Sequence, residues 1–378
     1  MKKPLRIRDY FPLGLAKGFA FCNRSNETQL LINNLQNGKH TLLMASRRYG
    51  KSSLALHALK LSKLPYVETD FYMARNEKII ESYILKSVVD LIGIALGPVD
   101  KLIVSIKKYV KELRPKLDIA SPILKLELSP QSPEIDAASN IKEALLLLEQ
   151  LLEEKQKHAV LLFDEFQNVG LIAEGKGIEG AIRHVAQKTK YLTFIFSGSH
   201  RRLLKTMFED ETRPLYKLCW KISLERISKN HYQKHLQEAA HLAWKTELPL
   251  PLIDKILDLS RQHPYYLNKL CDRLWTFHPK KAPKLEDIQI EWEAILEEEK
   301  SDAIREISAL SLGQKGVLSQ IAKGTEQLTG KQAVIELEMS SSSILTALEG
   351  LEEKDVIECH ENQYRILSPV IAHYALRG

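Results

Sequence analysis

Cysteine is scarce in this 378-residue chain. The four present, Cys22, Cys219, Cys271 and Cys359, lie far apart and form no C-x-x-C pair. That spacing excludes a zinc site of paired cysteines and a disulfide-stapled scaffold, and it reads as reduced thiols in a cytoplasmic protein. Long apolar runs are missing as well. Stretches such as ALLLLEQLL at 144–152 are too short, or too broken by charge, to span a bilayer, so no membrane partner is expected. The opening MKKPLRIRDYFPLGLAKG is basic but has no continuous apolar stretch, which argues against a secretory leader. Positive charge is in short supply at the end of the chain. Residues 301–378 carry seven Lys and Arg against eleven Asp and Glu, a net of −4 in a chain of net +6. The basic excess therefore lies in residues 1–300.

What is present is alternation. Five short runs rich in apolar and β-branched residues are fit for strands: 40–45 HTLLMA, 66–71 YVETDF, 158–163 HAVLLF, 191–197 YLTFIFS and 219–225 CWKISLE. Helical patterns separate them, at 51–62, at 139–156 with Ser139 or Asn140 as N-cap, and at 177–189. This order predicts an α/β fold, with a parallel five-stranded sheet covered by helices on both faces. A long insertion, about 76–138, interrupts it. Helices are expected there at 78–96 and 99–113, followed by a proline-punctuated stretch with room for a hairpin. Residues 1–226 form the expected core. Residues 227–300 read as helices only, a helical lid. Residues 301–378 read as helices followed by a two-strand hairpin turning at HENQ, the order of a C-terminal winged helix-turn-helix.

The stretch MASRRYGKSSL carries the chemistry. Gly50-Lys51-Ser52 ends the phosphate-binding pattern G-x-x-x-x-G-K-[ST], with Ala45 at the first glycine position. A tight loop of backbone N–H groups wraps phosphate oxygens, a lysine reaches the outer phosphates, and a hydroxyl at a helix start holds Mg²⁺. Residues Ala45, Ser46, Arg47, Arg48, Tyr49, Gly50, Lys51, Ser52 and Ser53 are the candidates for holding ATP. A GKS tripeptide also arises in unrelated loops; here a buried strand precedes it and a helix follows. Alanine at position 45 matters only if the turn needs a positive φ there.

A second element supports the first. VLLFDEFQ is a buried strand ending in Asp164-Glu165, at the carboxyl end where parallel sheets bind ligands. Asp164 is the candidate for holding Mg²⁺ through water, together with Ser52, and Glu165 for polarising the attacking water. The next strand ends in Ser197-Gly198-Ser199, from which Ser199 can contact the γ-phosphate or the catalytic water; an ordinary strand-ending turn would look the same.

Taken in order, FAFCNRSNETQLL, MASRRYGKSSL, VLLFDEFQ, FIFSGSH, RPLYKLCWKISLERI and QHPYYLNKLCDRLW resemble the motifs of the archaeal-type ATPase family. That family belongs to the AAA+ and STAND P-loop ATPases and is related to the origin-recognition initiators. The likeness runs over roughly 11–375. It implies that Phe21, Asn23, Arg24 and Glu27 lie in the motif that lines the adenine. It implies too that the Arg47-Arg48 pair is a family feature, and that Pro264 of the lid approaches the base. Relatives have a glycine where this chain has Gln262. Many relatives also carry an arginine after PLYG; this chain has Lys217 in place of that glycine and Leu218 where the arginine would be. Arg213 is then the candidate charge-stabilising arginine, with Arg201 and Arg202 behind it. An arginine finger contributes about 10³–10⁵ in rate, so its absence implies slow hydrolysis.

The candidate recognition helix, 340–354, contains one lysine, Lys354, beside Glu349, Glu352 and Glu353. Base and phosphate contacts to DNA are made mostly by basic and amide side chains, so a DNA role is disfavoured against an unknown protein partner. Three readings stand: a Mg²⁺-ATP switch ATPase coupled to its winged helix, an ATP-controlled DNA-binding initiator or mobile-element helper, and a module that holds ADP without hydrolysis. The oligomeric state is left open by the sequence.

Overall fold

The computed structural model describes residues 9–97, 136–172 and 176–377. They fall into two compact units. One comprises Ser25–Ala45 and Leu54–Ser223. The other comprises the described part of Met1–Arg24, together with Ser46–Ser53 and Leu224–Gly378.

The first unit is built on a parallel sheet of β1 (Thr41–Met44), β2 (Tyr66–Asp70), β3 (Ala159–Asp164), β4 (Leu192–Gly198) and β5 (Trp220–Ser223), in the order β2-β3-β4-β1-β5. All five expected strands are present. β1, β3 and β4 are buried at every residue, which is why TLLM, AVLLFD and LTFIFSG are near-continuous apolar runs. The outer strands β2 and β5 are partly exposed and more polar. The helices Glu77–Leu96, Ala137–Glu154 and Lys176–Ala186 pack side by side over one face. Their core includes Leu161, Phe163, Phe194 and Phe196; each such side chain contributes roughly 1.5–3 kcal/mol on burial.

Helix Glu77–Leu96 starts at Asn76, whose side chain accepts from the Ile79 N–H at 2.9 Å. Helix Ala137–Glu154 begins a turn earlier than its composition suggests. Asp136, not Ser139 or Asn140, is the N-cap, its carboxylate accepting from the Ala138 N–H. Asn140 is instead buried inside the helix, where its amide donates to Glu81 at 2.8 Å. The expected helix at 99–113 and the proline-punctuated stretch lie outside the described residues.

The second unit holds the helices Lys229–Trp244, Leu250–Ser260, Pro264–Phe277 and Leu285–Ser308, then Leu312–Lys323, Lys331–Leu337 and Ser341–Glu353. A two-stranded wing of β6 (Ile357–His360) and β7 (Gln363–Ile366) follows, and helix Pro369–Ala375 closes the chain. The hairpin turns on Glu361 and Asn362, both with positive φ, as a two-residue turn of matching twist requires. Leu285–Ser308 is one continuous helix, so the boundary expected at position 300 falls inside it. One apolar core joins Leu274, Trp275 and Trp292 to Val317, Ile344, Leu351, Ile357 and Val370.

Candidate functional site

The carboxyl ends of β1, β3 and β4 share one edge of the sheet. Met44 is in register with Gly198, Phe163 with Phe196, and Asp70 with Asp164. β4 lies between β1 and β3, so Ser197-Gly198-Ser199 stands between the strand that launches the loop and the strand that ends in Asp164. The Ser197 hydroxyl donates to Asp164, and Glu165 receives hydrogen bonds from Ser199 Oγ at 3.0 Å and from the Gln167 amide. Glu165 has φ +49°, a left-handed conformation that turns its side chain off the strand. Phe163 and Phe166 flank the acidic pair and pack against Phe196 at centroid distances of 5.8 and 4.7 Å, which anchors the turn.

Sequence reasoning missed two members of this edge. Asp70 ends the neighbouring strand, and burial pushes its carboxyl pKa up, aided by the charges of Asp164 and Glu165. Gln167 holds Glu165 and touches the place a side chain would take at Gly198, where an added Cβ would lie 1.9 Å from Gln167 Oε1.

The loop itself follows β1. Ala45 is buried, and its φ is not positive, so an alanine fits there without strain. Gly50 has φ +88°, which only glycine adopts at no cost. Arg48 also takes a positive φ. Lys51 is buried, and its ammonium reaches back to the Ser46 carbonyl at 3.4 Å. Ser53 Oγ accepts from the Ala16 N–H at 3.0 Å, a structural task. Gly50, the buried Lys51 ammonium and the Ser52 hydroxyl are the donor set that a Mg²⁺-triphosphate needs, and their chemistry fits that ligand.

The remaining loop residues are tied to partners far away in sequence. Glu358, on β6, is only 5% exposed. Its carboxylate accepts from Tyr49 Oη at 2.8 Å, Ser46 Oγ at 3.4 Å, Arg226 Nε at 3.3 Å and Arg365 Nε at 2.6 Å. Arg226 also donates from Nε to Tyr49 Oη, from Nη1 to the Arg261 carbonyl, and from Nη2 to the Ile366 and Leu367 carbonyls. One guanidinium thus joins loop, lid and wing. Burial pushes the Tyr49 phenol up to about 12, against the pull of Arg226, so it keeps its proton and donates. Arg226 and Glu358 were not foreseen: nothing local in LERI or VIECH marks them.

Asn23 and Arg24 form a left-handed pair (φ +57° and +69°). The buried Arg24 guanidinium donates to the Glu225 carbonyl and, at 3.5 Å, to the Tyr49 carbonyl. Pro264 opens the helix Pro264–Phe277 behind His263, whose Nδ1 accepts from the Tyr265 N–H at 3.2 Å. Burial pushes the His263 pKa down to about 3, helped by Arg226 and Arg48. Gln262 has φ +56°, a conformation that glycine would adopt at lower cost. Arg48 lies over the Tyr265 ring at 3.9 Å. A cavity of about 390 Å³ opens beside Arg47 and Arg48, with Glu299, Asp302, Glu306 and Asp355 on its walls. Two guanidinium groups and four carboxylates thus share this cavity.

Arg213 is committed to another task. Its guanidinium is paired with Glu179, which is fully buried. Burial pushes the Glu179 carboxyl up while Arg213 pulls it down.

The parallel sheet of this order, the loop after β1, the acidic pair after β3 and the helical and winged elements give a P-loop fold of the AAA+ type. Among solved structures, a Walker-type ATPase of Pyrococcus abyssi superimposes with a TM-score of 0.66 at 21% identity, covering 95% of this chain and 96% of that one. The ORC2 protein of Aeropyrum pernix, solved as ADPNP–ADP complexes, gives 0.55 at 14% identity over 98% and 96%. The ORC1 protein of Aeropyrum pernix, solved in complex with DNA, gives 0.51 at 11% identity over 98% and 96%. The family resemblance read from the motifs is thus met at the level of fold. No protein-family model matches the chain, and no curated protein matches it in a sequence search. Among the described residues no helix is long and apolar enough to cross a membrane.

Proposed function

We propose that this chain is a Mg²⁺-ATP-binding switch ATPase in which the winged helix reads the state of the phosphate-binding loop. The observation that carries this reading is the hydrogen bonding of loop residues Tyr49 and Ser46 to Glu358 of the wing. Any rearrangement of the loop on binding phosphate alters the partners of a buried carboxylate, and that is a differential contact of the kind a switch requires.

In this reading the Gly50 and Lys51 backbone N–H groups and the Lys51 ammonium bind phosphate oxygens. Lys51 exchanges its bond to the Ser46 carbonyl for them. The Ser52 hydroxyl and, through water, the Asp164 carboxylate are the groups that would hold Mg²⁺, which would neutralise charge on the phosphates. Glu165 polarises the water, and Ser199 and Gln167 set its carboxylate. Asn23, Arg24 and Pro264 lie toward the base. The ADPNP–ADP complexes of the ORC2 relative support an adenine nucleotide. With Arg213 on Glu179, no candidate finger remains beyond Arg201 and Arg202, which supports slow hydrolysis, below about one turnover per second.

A winged helix that reads DNA is the weaker reading. An ORC1 relative was solved with DNA. Here, however, helix Ser341–Glu353 contains neither lysine nor arginine, and its acidic residues would face phosphates unfavourably.

The test is Glu165→Gln. It should retain ATP and lose about 10²–10⁴ in turnover. Equal turnover in variant and wild type would leave only a nucleotide-holding module.

A further inference from the structure

The amino edge of the sheet, opposite the acidic pair, carries a row of cations. Lys39, Lys157 and Lys190 each stand two residues before β1, β3 and β4, and Lys63 stands three before β2. All four are exposed. In the order of the sheet the row reads Lys63, Lys157, Lys190, Lys39 and then Trp220, the first residue of β5. Adjacent strands are about 4.8 Å apart, so the row spans roughly 19 Å. Lys39 Nζ lies 4.3 Å from the Trp220 ring, which is nevertheless 59% exposed. His158 and Tyr191 add a ring pair, with centroids 4.9 Å apart, between Lys157 and Lys190.

Helix ends explain part of this pattern. Strands of such a sheet begin where helices end, and a lysine there offsets the helix dipole. Lys157 does so on the Ala95 carbonyl at 2.9 Å. That account leaves the tryptophan unexplained. A large indole on an open edge strand loses free energy in water and gains nothing for a helix end. Among the described residues two carboxylates adjoin the row. Glu153, 3.8 Å from Lys190, is well exposed and makes a weak pair. Glu149 is buried, accepting from the Lys190, Tyr191 and Leu192 N–H groups, so the exposed lysine ammonium groups still set a positive surface.

We infer that this edge is a binding surface for single-stranded nucleic acid. The lysine row tracks consecutive phosphates, and Trp220, polarised by Lys39, offers a stacking platform for a base. The surface belongs to the sheet and needs no residue of the acidic winged helix, which reconciles a basic core with a tail unsuited to DNA.

The test is fluorescence anisotropy of labelled oligo-dT with the full chain at about 50 and 200 mM salt. Three neutralised phosphates predict affinity falling on the order of 20-fold between these conditions. Trp220→Ala should weaken binding about 5-fold or more, and Trp220→Phe should keep most of it. Lys39→Gln with Lys190→Gln should flatten the log–log salt slope by about 1.4. The substitutions are at three exposed positions, and unchanged circular dichroism would establish folding. Wild type that does not bind at the lower salt overturns the proposal. So do variants that bind like wild type, or a duplex that binds more tightly than the single strand.

Discussion

The phenol of Tyr49 donates to the carboxylate of Glu358 at 2.8 Å, joining the loop after β1 to the wing across 309 positions of sequence. Both side chains are buried, and Arg226 holds the pair from one side while Arg365 holds it from the other. The loop proposed to hold phosphate is therefore bonded to the wing, so any change in the loop is felt by Glu358.

Glu358→Gln keeps the shape and removes the charge. Arg226 is left buried against a neutral amide, which should cost on the order of 3 kcal/mol and lower Tm. If the bond also couples wing to loop, ADP should leave about 5-fold faster or more. Thermal melting and stopped-flow release of a fluorescent ADP separate the two effects. A lower Tm with unchanged release would reduce the bridge to a structural one.

Gly198→Ala should affect turnover and not binding. The new Cβ would meet Gln167 Oε1 at 1.9 Å, and Leu204 at 3.1 Å leaves little room to yield. Gln167 must swing away, and Glu165 loses the amide that sets it. The expectation is a fall in kcat of about 10- to 100-fold with KM unchanged, and a similar loss in Gln167→Ala. A rise in KM alone would show that the amide does not position Glu165.

Low pH should destabilise the second unit through His235. Its ring is buried between Phe11 and Phe19, and burial pushes its pKa down to about 4. Between pH 6.5 and about 4 the unfolded chain binds a proton that the folded chain refuses. Stability therefore falls as pH drops through that window, by about 2 kcal/mol at pH 5. His263, with its pKa near 3, acts in the same direction. His235→Phe keeps a ring in place and should remove about 2 kcal/mol of the difference between pH 7.5 and 5. Melts at the two pH values check it; an unchanged difference would mean that His235 titrates normally.

Much of this was legible in the sequence because it is local. A strand buried on both faces must be apolar throughout, so β1, β3 and β4 announce themselves, and a loop that wraps phosphate needs Gly50 and Lys51 side by side. The alanine at 45 could not be judged from sequence, since its acceptability rests on a backbone angle. The link from Tyr49 to Glu358 was illegible for a different reason. A glutamate in VIECH looks like any solvated strand residue, and only the tertiary fold buries it beside two arginines. The cap at Asp136 was misplaced because Ser139 and Asn140 are equally good caps by residue type, and packing against Glu81 decides among them.

Arg213 offers the sharpest test of whether an arginine of this chain serves catalysis. Its partner Glu179 is fully buried, so the pair is held by mutual need: either group alone is an unpaired charge in an apolar setting. Arg213→Ala should cost about 3–5 kcal/mol, mostly the penalty of stranding Glu179. Adding Glu179→Gln removes that stranded charge, so the double variant should recover most of the loss, a non-additivity that marks direct contact. Turnover then decides the role. A structural pair predicts that the double variant hydrolyses ATP within about twofold of wild type once refolded stability is regained. An arginine acting on the γ-phosphate predicts that stability returns while turnover stays down about 10³-fold or more. Melting curves and steady-state ATPase rates on the four proteins of this cycle give the answer.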